Sequence, residues 1–552
     1  MTRTCTTARY SWYNRLPMRP LFSRAALVTI PFVVAACASS AAPLAKTDPA
    51  ALLTTLTDLA AFGNKRAGSP EGAQAAAYLH DRFQKLGLLG VHDESFGIPR
   101  WTLTSAAVSI SIGSTVSTPP FEVFEASGSG HAKGALIRVH AAREADVATL
   151  DLTGKIALVD RDPTYHRSAQ YKNVIAKGAT AMLYVSTAPT NLRQVGSVRD
   201  AWESAGTIPA ISIGADDGVA IESALDANAT VTASIDVVAS STPAVGSNVV
   251  GRIVGESPEQ IVIGAHYDTW FAGSTDNGGG VAALLALAGR CLQRGKPRYT
   301  LTFVAYDGEE LALYGGYDFL HRHRVLAKEP ILAVLNFETP STLSASLLGL
   351  GHSGQPILDH ALESAGLANL YPLYVGLDVV ASLFGGIIPT DIQGAYRTGL
   401  ATASTAVDGP YYHTAEDTPD KVDLSLLAST TDAFDHALVS LLMADPSSFA
   451  APDPALWHAE VTALGTGAGT IGVSATVTDG NGVAAVGTTV HAAVLVDDFT
   501  LATTLSGITD GSGHVMLGIP IAASIAGTAN RFLHFTAGPT YPLVEQIVAI
   551  PH

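Results

Sequence analysis

Cysteine is scarce, with three in 552 residues. Cys5 and Cys37 lie near the N-terminus and only Cys291 sits in the body of the chain, so no intrachain disulfide can staple that body. Stability has to come from burial. Charge is also sparse, at 15% of residues, and the 32 Lys and Arg are outnumbered by 49 Asp and Glu, for a formal charge of −17. No basic run offsets that balance, which argues against nucleic acid as a general partner because phosphate binding needs clustered cations. The apolar stretch Ala25 to Ala36 has only twelve residues, too short to span a bilayer as a helix. What remains is abundant apolar sequence, 47%, in a chain long enough for two to four packed domains.

The short apolar stretch follows Arg19 and Arg24 and ends in Val34-Ala-Ala-Cys37, which predicts a secretory leader over residues 1–37. Its last four residues resemble a bacterial lipobox, implying lipid on Cys37 and export to the cell envelope as a membrane-anchored protein. An ordinary signal peptide with an incidental cysteine is the alternative.

Beyond the leader, Leu52, Leu53, Leu56 and Leu59 recur at helical spacing. The pattern breaks at Ala67–Gly72 (AGSPEG) and resumes through Leu79, Phe83 and Leu86. Residues 101–242 change to short β-rich runs, with one helix expected over Ser168 to Lys177. Over 243–447 apolar strands alternate with helices, which together with 48–100 predicts an α/β fold with a doubly wound mixed sheet. Residues 455–552 lose helical periodicity and carry the turns Thr478–Gly482 (TDGNG) and Thr509–Gly513 (TDGSG), as in an antiparallel β-sandwich. The aspartates of those turns suit turn chemistry or, alternatively, a cation.

Four strands of the α/β part run into groups that bind metals or protons. Ile261–Ala265 leads to His266, Thr300–Tyr306 to Glu309 and Glu310, Ile331–Phe337 to Glu338, and Thr402–Val407 to His413. Open parallel sheets bind ligands at the carboxyl ends of their strands, so these side chains can share one crevice. Each has a plainer reading: Asp276 and Asn277 can cap the following helix, and Glu309 and Glu310 can start one in solvent. Their recurrence at successive strand ends points instead to divalent ions, for which His and carboxylates are suitable ligands. Asp268, two residues beyond His266, can orient that imidazole. Of the adjacent Glu309 and Glu310, one can ligate while the other serves as general base.

HYD, STDNGGG, DGEE, NFE and YYHTAEDTPD, in this order, resemble peptidase family M28, the zinc exopeptidases that include aminopeptidases and the glutamate carboxypeptidase II group. The resemblance implies two zinc ions per chain and peptide substrates. It assigns Asp276 to bridge the ions, His266 and Glu338 to one, and Glu310 and His413 to the other. It makes Glu309 the base that deprotonates the bridging water, Asp268 the partner of His266, and Tyr412 a candidate stabiliser of the oxyanion. Glu338 departs from the family, which mostly has aspartate there. Thr390-Asp391 stands where a Ser-Asp pair is usual.

The β-rich insert resembles a protease-associated (PA) domain through LTGKIALVDR, KGATAMLYVS and TIPAISI, and the C-terminal sandwich resembles Ig-like modules. Four functions compete. An aminopeptidase comes first. A carboxypeptidase would need arginines at the site, for which Arg397 is the candidate. A non-catalytic binding protein on the same fold would have shed ligands that this chain keeps. A glutaminyl-cyclase-like enzyme would use one zinc and carry no insert. Val375 to Ile388 is an apolar stretch suited to a side-chain pocket or to core. Oligomeric state is not readable.

Overall fold

The computed structural model describes residues 44–199, 205–384, 387–449, 457–466, 469–496, 500–522, 525, 531–538 and 544–550. The expected leader and Cys37 lie outside the described residues. Two N-terminal helices, Pro49–Ala60 and Pro70–Leu86, stand on either side of the Gly-rich break. Asp48 caps the first and Ser69 the second by accepting backbone N–H groups, each ahead of a proline in the first turn, and left-handed Gly87 stops the second.

Among the described residues the large sheet has fourteen strands. At its centre Ala401–Asp408, Ile331–Asn336, Ser257–His266 and Tyr299–Tyr306 lie parallel in that spatial order. They are almost wholly buried, because helices such as Gly279–Gln293 and Leu424–Met443 cover them. Leu347–His352 extends this part antiparallel, so the sheet is mixed, as the sequence predicts.

The insert is joined to the rest of the sheet by one continuous ribbon. Two strands, Leu89–Ile112 and Val231–Ile253, pair antiparallel along nearly their whole length, and Arg100 faces Thr242 in the register. The boundaries drawn at 100/101 and 242/243 therefore fall midway along one ribbon. That ribbon pairs with Tyr299–Tyr306 at one end and with Gly130–Arg138 at the other, so the sheet runs unbroken into the insert's parallel strands Ile156–Asp160, Ala181–Val185 and Ala210–Ile213. Helix Arg167–Ala176 lies one residue earlier than its predicted span.

The C-terminal residues form a three-stranded and a four-stranded antiparallel sheet around a shared apolar core that includes Ile471, Val490, Leu533 and Phe535. Asp479 and Asp510 accept backbone N–H groups of their own turns, the turn chemistry expected of them. Leu495, Phe532 and Ile547 of this sandwich pack against Leu311, Leu313, Tyr314 and Tyr317, the stretch that follows Glu310. Leu377, Ala381 and Ile388 of the Val375–Ile388 stretch join a buried core cluster.

Candidate metal centre

The parallel register sets the site. His266 ends its strand opposite Tyr306, whose strand turns directly into the Asp307–Glu310 loop. Asn336 lies opposite Gly264, which brings Glu338 to the same end. The loop after Asp408 carries His413 back over these tips. Asp276 arrives on the single wide turn Ser274–Gly278 that precedes helix Gly279–Gln293. A Cβ on Gly280 would sit 2.6 Å from the Phe337 carbonyl oxygen, so only glycine lets this helix start reach the Glu338 loop.

Five sequence-predicted ligands meet here as two triads, His266–Asp276–Glu338 and Asp276–Glu310–His413, with the ligand atoms of each within 4.8 Å of one another. Asp276 belongs to both. Its Oδ1 lies 3.2 Å from His266 Nε2, and its Oδ2 lies 2.9 Å from His413 Nε2. Glu338 Oε1 is 3.2 Å from His266 Nε2, and Glu310 Oε1 is 3.1 Å from His413 Nε2. All five side chains are buried.

Both imidazoles are held from behind. His266 Nδ1 faces the Asp268 carbonyl oxygen at 2.9 Å, and His413 Nδ1 faces the Val195 carbonyl oxygen at 2.9 Å. A proton on each Nδ1 leaves each Nε2 lone pair aimed at the triad, as a metal ligand requires. The carboxylate of Asp268 accepts the backbone N–H groups of Glu309 and Glu310, at 3.1 and 3.2 Å, and so pins the loop that carries them.

The residues fit divalent cations. Asp276 Oδ1, Glu310 Oε1 and Glu338 Oε2 are buried with no well-directed hydrogen-bond donor, a costly arrangement for carboxylates unless cations face them. The electrostatics agree. Burial pushes Glu338 up to about 7, and His266 only partly offsets it. Burial likewise holds Glu309 well above the usual carboxylate range, against the pull of His266 and with a further push from Glu338, Glu310 and Asp391. Burial alone would lower His413, but Glu310 and Asp276 outweigh it and raise it to about 9. Asp276 moves the other way: the two imidazoles overcome its burial and lower it.

Asp417 and Trp270 were not singled out from sequence. Asp417, which lies within YYHTAEDTPD, accepts from Thr275 N, Thr275 Oγ1 and Asp276 N and so positions the residue common to both triads. Trp270 donates from Nε1 to Glu310 Oε2 at 2.6 Å. Asp391, of the Thr390-Asp391 pair named from sequence, is buried near enough for its charge to act on Glu309. Tyr412 stacks on His413 with ring centroids 3.7 Å apart, and burial keeps its hydroxyl protonated far above the usual range against the pull of Arg167. Arg397 is buried with its guanidinium over the Tyr396 ring. The arginines whose charge acts on Glu310 are Arg66 and Arg167.

These shifts carry a stability consequence for the metal-free chain. Raised groups bind protons in the folded state that the unfolded state releases, so their stabilisation is lost as pH rises through the folded values. Glu338 and Asp417 at about 7, Asp307 at about 8 and His413 at about 9 all act in this sense. The melting temperature of chelator-treated protein should therefore fall by a few degrees between about pH 6.5 and pH 8. Added divalent metal should flatten or reverse that slope, because it favours the deprotonated ligands. Differential scanning fluorimetry reads both curves; a metal-free melting temperature that climbs over this interval would contradict the burial assigned to these groups.

Comparison with known proteins follows the same lines. Residues 248–438 match Peptidase family M28, and residues 125–221 match the PA domain. The chain is 28% identical over 212 residues to the mouse (Mus musculus) Aminopeptidase NAALADL1, covering 32% of this chain and 28% of that protein. It is 24% identical over 320 residues to Probable leucine aminopeptidase 2 of Aspergillus fumigatus, covering 57% of this chain and 62% of that one. It thus spans less than two thirds of the length of these relatives. Among solved structures it is similar in fold to BSAP, a zinc aminopeptidase from Bacillus subtilis, with a TM-score of 0.54 and 21% identity over 74% of this chain and 99% of that one. The ligand-bearing strands and the order of their motifs lie within residues 248–438, so that part of the chain is a domain of the Peptidase family M28 type, and residues 125–221, reached through the ribbon, are a PA domain inserted ahead of it.

Proposed function

We propose that the protein is a zinc-dependent exopeptidase that removes residues from the amino terminus of peptides. The observation that carries this reading is Asp276, which offers one carboxylate oxygen to each of two triads that otherwise share no residue. His266, Asp276 and Glu338 would hold one ion, and Asp276, Glu310 and His413 the other. Zinc bound there supplies Lewis acidity toward a peptide carbonyl and toward water. Glu309 belongs to neither triad. It takes the proton from the attacking water and returns it to the departing amine, and the raised affinity for protons that burial gives it suits that exchange. Asp268 holds His266 and the Glu309–Glu310 backbone in place, and the protonated Tyr412 hydroxyl is the hydrogen-bond donor available to a developing oxyanion. Export to the cell envelope with a lipid on Cys37 belongs to the same proposal and rests on the leader sequence alone.

A carboxypeptidase is the second reading, favoured by the positive charge of Arg66 and Arg167 beside Glu310. Both arginines already have partners, Arg66 in Glu125 and Arg167 in the Ser197 carbonyl, which supports the amino-terminal assignment. A panel of aminoacyl reporters, amino-blocked peptides and carboxyl-blocked peptides, assayed with chelator and after zinc addition, tests the choice. Free-amine substrates should be cleaved, blocked amines should not, and chelator should abolish turnover until zinc is restored. Cleavage dependent on a free carboxylate would favour the second reading, and no cleavage of any peptide would favour a binding protein.

A further inference from the structure

Residues 193–199 of the insert reach into the centre. Residues Arg193–Arg199 run across the loop that carries Tyr412 and His413, and Gln194 and Val195 are both buried there. Val195 makes two contacts with one residue. Its N–H donates to the His413 carbonyl oxygen at 3.1 Å, and its own carbonyl oxygen faces His413 Nδ1 at 2.9 Å. Gln194 Nε2 donates to the Tyr412 carbonyl oxygen at 3.1 Å.

His413 has a use for such support. Its φ is +58°, a left-handed conformation that is sterically unfavourable for a non-glycine residue. Something outside the loop must hold that backbone. The segment doing so is itself tied down inside the insert. Gln194 Oε1 accepts from Ser186 Oγ and Thr187 N, the Gly196 carbonyl accepts from Glu125 N, and Ser197 O accepts from Arg167 Nε. Gly196 is required, because its φ is +147° and a Cβ there would lie 2.1 Å from Arg167 Nε.

We infer that the PA insert completes the metal centre: Gln194 and Val195 are positioning residues that fix the backbone and the imidazole orientation of His413, so the affinity of the Glu310–His413 triad for its ion depends on the insert. This rests on the two-triad reading above. It assigns the insert a part in assembling the site, and it makes any movement of residues 193–199 a means of loosening one ion and not the other.

The test uses the metal-free full-length chain titrated with cobalt(II), followed by its visible absorption, with His413→Ala identifying which uptake phase belongs to the Glu310–His413 triad. Gln194→Glu keeps the acceptor toward Ser186 and Thr187 but removes the donor to Tyr412. Gly196→Ala displaces the segment without adding charge. Either change should weaken the phase missing in His413→Ala by about 10- to 100-fold, the usual cost of losing support behind a ligand, and leave the other phase within about threefold. Two phases weakened together, alongside a lowered melting temperature, would reduce the contact to general stability and overturn the inference. Two unaltered phases would overturn it as well. A wild-type chain that takes up no cobalt would overturn the two-triad reading and this inference with it.

Discussion

Glu309→Gln should lower turnover of the best aminoacyl reporter by about three orders of magnitude or more while leaving bound metal unchanged. The two halves of that result separate a proton-transfer group from a ligand. Glu309 lies outside both triads, so its neutral isostere removes no metal donor. It does remove the carboxylate whose protonated form burial favours, the feature that suits it to take a proton from water and then release it to an amine. KM should change little, because the effect falls on the transition state. Loss of metal in this variant would make Glu309 a ligand, and undiminished turnover would remove it from the mechanism.

Asp276→Asn should have the second large effect, and a different signature. The side chain keeps its shape, but one of its oxygens becomes an amide and its charge is gone. Because its two oxygens face different imidazoles, both triads lose by the same change. Affinity for each ion should drop by more than about 100-fold, beyond the 10- to 100-fold typical of losing a supporting partner, and activity should fall to background. Glu338→Gln, which touches one triad, should weaken one ion preferentially. Metal analysis after dialysis distinguishes these cases. Two ions retained by Asp276→Asn would show that the carboxylate is not shared.

Much of this centre was legible in the sequence, because strand ends are local features. His266, Glu310 and Glu338 each follow an apolar strand by a few residues, and a parallel sheet gathers such residues at one edge. Asp276 was legible as the shared ligand only through the resemblance carried by STDNGGG, and the structure supplies a reason for the glycines: Gly280 allows close approach of the turn to Phe337.

What escaped depends on long-range contacts. Asp417 lies 141 residues beyond the Asp276 backbone it supports, and nothing in its neighbourhood marks it as more than a loop aspartate. Val195 acts through its main chain, which no residue type announces. The ribbon of Leu89–Ile112 and Val231–Ile253 was not legible as one element, because it alternates buried and exposed positions across both parts, with no break in composition where the fold passes from one to the other. Arg397, the sequence candidate for gripping a substrate carboxylate, is packed over Tyr396, and Arg66 and Arg167, which act on Glu310, come from segments far from it in the chain.

The most direct test is anomalous diffraction at the zinc edge from crystals of zinc-loaded protein. Two peaks per chain, one bounded by His266 and Glu338, one by Glu310 and His413, with an Asp276 oxygen on each, is the predicted result. A single peak, or peaks away from these side chains, would contradict it.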